Sequence, residues 1–200
     1  MQGAGKQAAS DGRLMRSERS RAGIVQALYE LVGEGSLEPT AEQVAERAGV
    51  GIRTVFRHFS DMQSLFSEMD ARIDAEARPL LEADSEGERG SGSLLARARG
   101  LAARRAAFFE QIAPYKRAGN LKRARSNFVQ SRHMGLVRGL RDDLLRAFPE
   151  LADASPELRD ALEMSASFEA WDRLRSDQRL SRSRAAAALE RAICALAEQL

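Results

Sequence analysis

Residues 40–59 read TAEQVAERAGVGIRTVFRHF. The spacing predicts two short helices that cross through a tight turn. Thr40 and Gln43 stand three apart, as a capping box requires, so that hydroxyl and amide each satisfy a backbone group at the helix start. Ala45 supplies the small residue at the crossing. Gly49 supplies the residue that tolerates positive φ in the turn. Val55 and Phe59 are four apart and share one face of the second helix, where Val44 and Val50 can meet them. This is the pattern of a helix-turn-helix.

The side chains left over point to DNA. Arg53, Thr54, Arg57 and His58 are expected on the outer face of the second helix. A helix lying in a major groove reads base edges mainly with residues near its N-terminus. Arg53 stands there, suited to a two-pronged contact with guanine worth roughly 1–3 kcal/mol of discrimination. Arg57 and His58 are expected at phosphates, which position a protein without reading sequence. The Thr40 hydroxyl, at a helix start, is a natural phosphate donor. Arg13, Arg16 and Arg19 extend the positive footprint.

Outward from this segment, helix-favouring Ala, Leu, Arg and Glu dominate and nothing alternates as a strand would. A helix from about Ser17 to Gly33 carries the stripe Ile24, Leu28, Leu31 and Val32. Ser60 and Gln63 have capping-box spacing and are expected to open a fourth helix reaching about Ala77. Residues 1–16 are expected to form a flexible arm, and 84–93 (DSEGERGSGS) a loop. Further helices are expected near 94–112, 116–124, 126–147, 157–177 and 182–199, the last but one opened by Ser155-Pro156-Glu157. All five prolines are expected at boundaries. The expected fold is all-α, about nine helices: an arm (1–16), a three-helix DNA-binding domain (17–75, helix-turn-helix 40–59) and a larger helical bundle (76–200).

Composition removes other classes. The chain is 44% hydrophobic and 30% charged, enough for a core and for solubility. No apolar run approaches the ~20 residues of a membrane span, and no secretory leader is visible, so a cytoplasmic place is expected. The single cysteine, Cys194, excludes an intrachain disulfide and a Cys-rich metal site. The two histidines are far apart, so no zinc site is expected, nor any cofactor. A glycine-rich phosphate loop, a nucleophile elbow, a metal-binding helix and a Cys/His pair are all missing, so an enzyme is not expected.

Charge is segregated along the chain: residues 60–93 carry nine acidic against three basic groups, and residues 96–125 nine basic against one acidic, Glu110. The run Lys116, Arg117, Lys122, Arg123 and Arg125 is open to three readings: a solvated face, an attraction for an anionic effector, or a partner for the acidic stretch.

The segment resembles the DNA-binding domain of the TetR family of bacterial regulators. The matching residues are Thr40, Val44, Ala45, Ala48, Gly49, Val50, Thr54, Phe56, His58 and Phe59, with Leu65 beyond, inside a match over about 17–70. Gly51 stands where the family usually has a capping serine, Arg53 where glycine is frequent, Phe56 for a common tyrosine and Met62 for a backbone-touching lysine. The DNA-contacting set on this reading is Thr40, Gly51, Arg53, Thr54, Phe56, Arg57 and His58. The resemblance implies a homodimeric repressor that releases its operator on binding a small effector.

Some independent signs favour a dimer. Leu189, Ile193, Leu196 and Leu200 form one stripe, and Ala185 to Ala188, with Ala192 and Ala195, a second surface suited to close helix approach. Leu158, Ala161, Leu162, Phe168, Trp171 and Leu174 make the preceding helix apolar on more than one side. Two-fold symmetry would require a palindromic operator. Phe108, Phe109, Ile112, Tyr115, Phe128, Met134 and Trp171 read either as core or, without Phe109, as lining of a ligand pocket. The competing class is a small-molecule-binding bundle or interaction module with weakened or lost DNA binding.

Overall fold

The computed structural model describes residues 4–82 and 92–200, with side chains from Leu14 onward. The start of the expected arm and most of the expected 84–93 loop lie outside the described residues. Among the described residues there are nine α-helices and no strand. The chain divides into two compact units, 1–74 and 75–200.

The first unit holds α1 (Ala4–Gly33), α2 (Ala41–Arg47), α3 (Ile52–His58) and most of α4 (Met62–Glu82). Helix α1 starts well before the expected Ser17. Lys6, Gln7, Ala8, Ala9 and Arg13 to Arg16 are good helix formers, and they continue the helix through the segment expected to be a flexible arm. Ile24, Leu28 and Val32 are buried as their spacing requires, whereas Leu31 is half-buried. They share the unit's core with Val44, Ala45, Val55, Phe59, Leu65 and Met69.

Helix α4 opens one residue later than expected. Asp61, not Ser60, is the cap: its carboxylate accepts the Ser64 N–H at 2.7 Å. The Ser64 hydroxyl accepts the Asp61 N–H at 3.4 Å, so Ser64 takes the return role assigned to Gln63. The bond from the Ser64 N–H holds the Asp61 carboxyl below its usual range.

The second unit is organised around α5 (Leu94–Lys122), with α6 (Asn127–Ala147), α7 (Pro156–Ser165), α8 (Phe168–Asp172) and α9 (Arg182–Ala197). Two expected helices, 94–112 and 116–124, are one. Pro114 lies inside α5 and Pro79 inside α4, contrary to the boundary expectation. A proline there removes one backbone hydrogen bond. Burial of Leu101, Phe108, Phe109, Ile112 and Ala113 keeps α5 continuous despite that loss. Helix α9 lies along α5 and turns Ala185, Leu189, Ile193 and Ala197 inward.

The expected helix 157–177 is broken instead. Its hydrogen-bond run stops at Ala166, and the Ser167 hydroxyl caps α8 by accepting the Ala170 N–H at 3.2 Å. A π-helical turn, Arg173–Asp177, follows. The break seats Phe168 edge-on to Phe109, with ring centroids 5.8 Å apart, and buries Trp171 completely.

Arginines bind this unit's helices to one another. Arg97 donates to Ala147 O at 2.8 Å and pairs with Glu150 at 3.0 and 2.5 Å. Buried Arg105 donates to Leu140 O at 2.5 Å, Ala166 O at 3.1 Å and Asp143 at 3.0 Å. Arg117 meets Asp172 at 2.7 Å and Arg175 meets Glu110 at 2.8 Å.

Candidate nucleic-acid interface

Helix α2 begins with the expected capping box. The Thr40 hydroxyl accepts the Gln43 N–H at 3.3 Å, and the Gln43 side-chain oxygen accepts the Thr40 N–H at 2.9 Å. Thr40 is exposed, and its O–H is left to donate. The helix ends in a Schellman turn: Gly49 has φ +65, the Val50 N–H donates to Ala45 O at 3.0 Å, and the Gly49 N–H to Glu46 O at 3.1 Å. That left-handed residue reverses the chain into α3. Helix α2 is tied to the end of α1 by Arg47, which pairs with Glu30 at 3.6 Å and donates to Glu34, just past the helix, at 2.9 and 2.7 Å.

Helix α3 starts at Gly51 without a side-chain cap, as the missing serine implied. Val55 and Phe59 are buried, as expected. The exposed face differs in part from expectation. Arg53 and Arg57 are exposed, Thr54 is half-buried, and the apolar pair Ile52 and Phe56 stands out at 37% and 48% exposure. Arg53–Arg57 and Ile52–Phe56 are both four apart, so cationic and apolar side chains run side by side along one face.

His58 departs further. It is half-buried, and its Nε2 is enclosed without a hydrogen-bond partner. Burial, then the charges of Arg57 and Arg21, hold its titration below the usual histidine value. The outer-face position expected for His58 is therefore corrected: the last turn of α3 folds it toward the core alongside Phe59.

One residue that fixes this face was not singled out in the sequence. Arg21 of α1 donates to His58 O at 2.6 Å and to Glu68 of α4 at 3.1 Å, with a second, shorter Glu68 contact. Its guanidinium also lies 4.4 Å from the Phe59 ring centroid. It holds the C-terminal end of α3 to two other helices. No local spacing announces this, because its partners are 37 and 47 residues away. Arg16 and Arg19 are exposed on the same helix, and the Arg13 side chain lies outside the described set.

In the second unit the expected ligand set is dispersed. Phe108, Ile112 and Trp171 are buried, Tyr115 and Phe128 half-buried, and Met134 is 41% exposed. Phe108 packs at a tilt against Phe109, with centroids 5.7 Å apart, which is core packing. A cavity of about 400 Å³ lies elsewhere, where α6 meets the α7–α8 break, lined by Arg105, Leu140, Arg141, Leu144, Glu163 and Met164 among others. None of the six expected lining residues borders it. No helix among the described residues is long and apolar enough to cross a membrane.

The comparisons agree with this geometry. Residues 24–69 match the family model of bacterial regulatory proteins of the tetR family. No curated protein sequence matches the chain. A transcriptional regulator from Rhodococcus sp. Rha1 has a similar structure, with TM-score 0.68 and 21% identity over 90% of this chain and 96% of that one. That likeness shows a shared fold. The match itself spans the end of α1 through α4, the elements that position the exposed face of α3. Residues 24–69 therefore form a helix-turn-helix domain of the kind that the tetR family model describes.

Proposed function

We propose that the chain acts in the cytoplasm as a homodimeric, effector-responsive repressor on a palindromic operator. The observation that carries the DNA-reading part is the uncovered face of α3, where Arg53 and Arg57 flank Ile52 and Phe56. Arg53, in the first turn, takes the base-reading role, and Thr54 adds a hydroxyl beside it. Phe56 and Ile52 offer apolar contact to thymine methyl groups, a use that needs no phenolic oxygen. Arg57 and Thr40 take phosphates, which set position.

Dimerisation rests on a smaller surface than the apolar stripes suggested. Leu189, Ile193 and Ala185 are used against α5. Ala187, Ala192 and Ala195 remain exposed on α9, and Met164 of α7 is 67% exposed. This low-profile face supports helix-on-helix pairing with a second copy. The effector acts by binding the DNA-competent and DNA-released states with different affinity. Helix α4, whose residues are divided between the two units, is the covalent route between them.

Selection of duplexes from a random pool tests the reading. The expected product is a palindrome whose affinity falls steeply with salt. Arg53→Ala should weaken it by about 1–3 kcal/mol and relax preference at one base pair per half-site. Unchanged affinity and preference would remove Arg53 from the reading set. No enrichment at all would favour a bundle that has lost DNA binding.

A further inference from the structure

The end of α5, the turn after it and the start of α6 bring three basic side chains together. Lys116 Nζ lies 2.7 Å from His133 Nδ1, and Arg123 Nη1 lies 3.1 Å from His133 Nε2. A neutral imidazole has one acceptor nitrogen, and its other nitrogen carries hydrogen. Lysine and arginine only donate. Whichever tautomer His133 takes, one of these contacts sets N–H against N–H. A protonated ring would set both.

Other arginines of this unit end on carboxylates: Arg97 on Glu150, Arg105 on Asp143, Arg117 on Asp172 and Arg175 on Glu110. Lys116 and Arg123 end on an imidazole instead. All three residues are half-buried. Burial pushes Lys116 below its ordinary value, against the carboxylate of Glu169 on α8 and with a smaller push from Arg123, and burial, then Lys116 and Arg123, push His133 down, with Glu169 opposing. Asn120 accepts from Lys116 at 3.1 Å, and the Phe168 ring centroid lies 5.7 Å from Nζ. A complement to the negative end of α5 accounts for basic residues near Lys122. It does not account for two cationic donors converging on one ring.

We propose that Lys116, Arg123 and His133 hold the anionic head group, a carboxylate or a phosphate, of the small molecule to which this regulator responds. The assignment of that anion as effector rests on the effector reading above. A carboxylate or phosphate that turns one oxygen to Lys116 and another to Arg123, in place of their contacts with the ring, receives two charge-assisted hydrogen bonds. It also stabilises the imidazolium, which turns His133 into a third donor. Binding therefore takes up a proton and tightens as pH falls through the histidine range.

The full-length protein, free of DNA, is titrated at constant ionic strength with inorganic phosphate and, separately, with hexanoate. The two histidine Cε1–H resonances are followed by NMR, with His133→Gln assigning them. The expected result is a saturable shift of the His133 signal with at least one probe, and a titration midpoint moved to higher pH, while His58 stays in place. Saturation by hexanoate alone assigns a carboxylate ligand, and by phosphate alone a phosphoryl ligand. Lys116→Gln and Arg123→Gln, each checked for an unchanged thermal melt, should weaken binding about tenfold. If neither probe moves His133, or either folded variant binds as the native chain does, the site is overturned. Operator affinity is measured in parallel. Saturation at His133 that leaves DNA affinity unchanged keeps the site and removes the effector reading, whereas a probe that lowers DNA affinity without moving His133 does the reverse.

Discussion

The two units of this chain mix local and long-range ties differently, although the first also has a long-range anchor in Arg21, which reaches His58 O and Glu68. In the first, the turns that place α3 are made by neighbours: Thr40 with Gln43, Ala45 with Val50, Asp61 with Ser64. In the second, the ties are long-range ion pairs: Arg97–Glu150, Arg105–Asp143, Arg117–Asp172 and Arg175–Glu110 join residues 53, 38, 55 and 65 apart. Local capping can be written into four residues, and each cap contributes about 1 kcal/mol. Such pairs form only once their helices have docked, and in the one that is buried on both sides, Arg105–Asp143, either member is costly if left alone. A helix presented to DNA needs its start and end defined, and a bundle needs its helices held in register.

The largest expected effect tests that contrast. Asp143 is buried, accepts from Arg105 and lies 3.9 and 3.7 Å from Arg104 and Arg146. Arg105, pushed down to about 10 by burial against the opposing field of Asp143, is still charged at neutral pH. Asp143→Ala strands that cation, at a cost of about 3–5 kcal/mol. Urea unfolding followed by the fluorescence of the single tryptophan, Trp171, reports on the second unit. Glu190→Ala, which breaks the exposed 3.6 Å pair with Arg99, should change stability by less than about 1 kcal/mol. Equal effects from the two substitutions would show that the buried Arg105–Asp143 pair does not organise this unit.

The middle-sized effect falls on the first unit. Gly49 takes φ +65, where a β-branched side chain is strained. Gly49→Val should cost about 1–2 kcal/mol. It should raise amide exchange in α2 and α3 and weaken operator binding, with the Trp171 transition unmoved. A shift of that transition would show that the units do not unfold independently.

This difference in distance also decides what could be read in the sequence. Thr40, Gly49, Val55 and Phe59 were legible because hydrogen-bond partner, dihedral demand and helical period all lie within a few residues. The start of α4 slipped by one residue because Ser60–Gln63 and Asp61–Ser64 are equally spaced, and only the fold selects the aspartate. Pro114 and Ser167 misled for the opposite reason. A proline suggested a break that burial overrides, and a serine inside an apolar run hid a break that packing of Phe168 and Trp171 imposes. In the site itself, Arg53 and Arg57 were legible as helix period. Arg21 was not, since its partners come from other helices, and neither was the inward turn of His58.

The smallest effect uses the two histidines, one in each unit. Both have titrations lowered below 6.5, His58 by burial and then Arg57 and Arg21, His133 by burial and then Lys116 and Arg123. A base whose folded value is depressed is protonated more readily in the unfolded chain, so the unfolded state binds more protons between the two values. Stability is therefore full above 6.5, falls as pH drops through that value, and levels off once pH is below the folded one. His58→Gln should flatten this decline for the α2–α3 amides and leave the Trp171 transition with its pH dependence, and His133→Gln should do the converse. The residual slope in each variant then belongs to the other unit. Should His58→Gln leave the α2–α3 decline intact, the enclosed Nε2 is not what acid disrupts, and the pairs Arg21–Glu68 and Arg47–Glu34 become the elements to test.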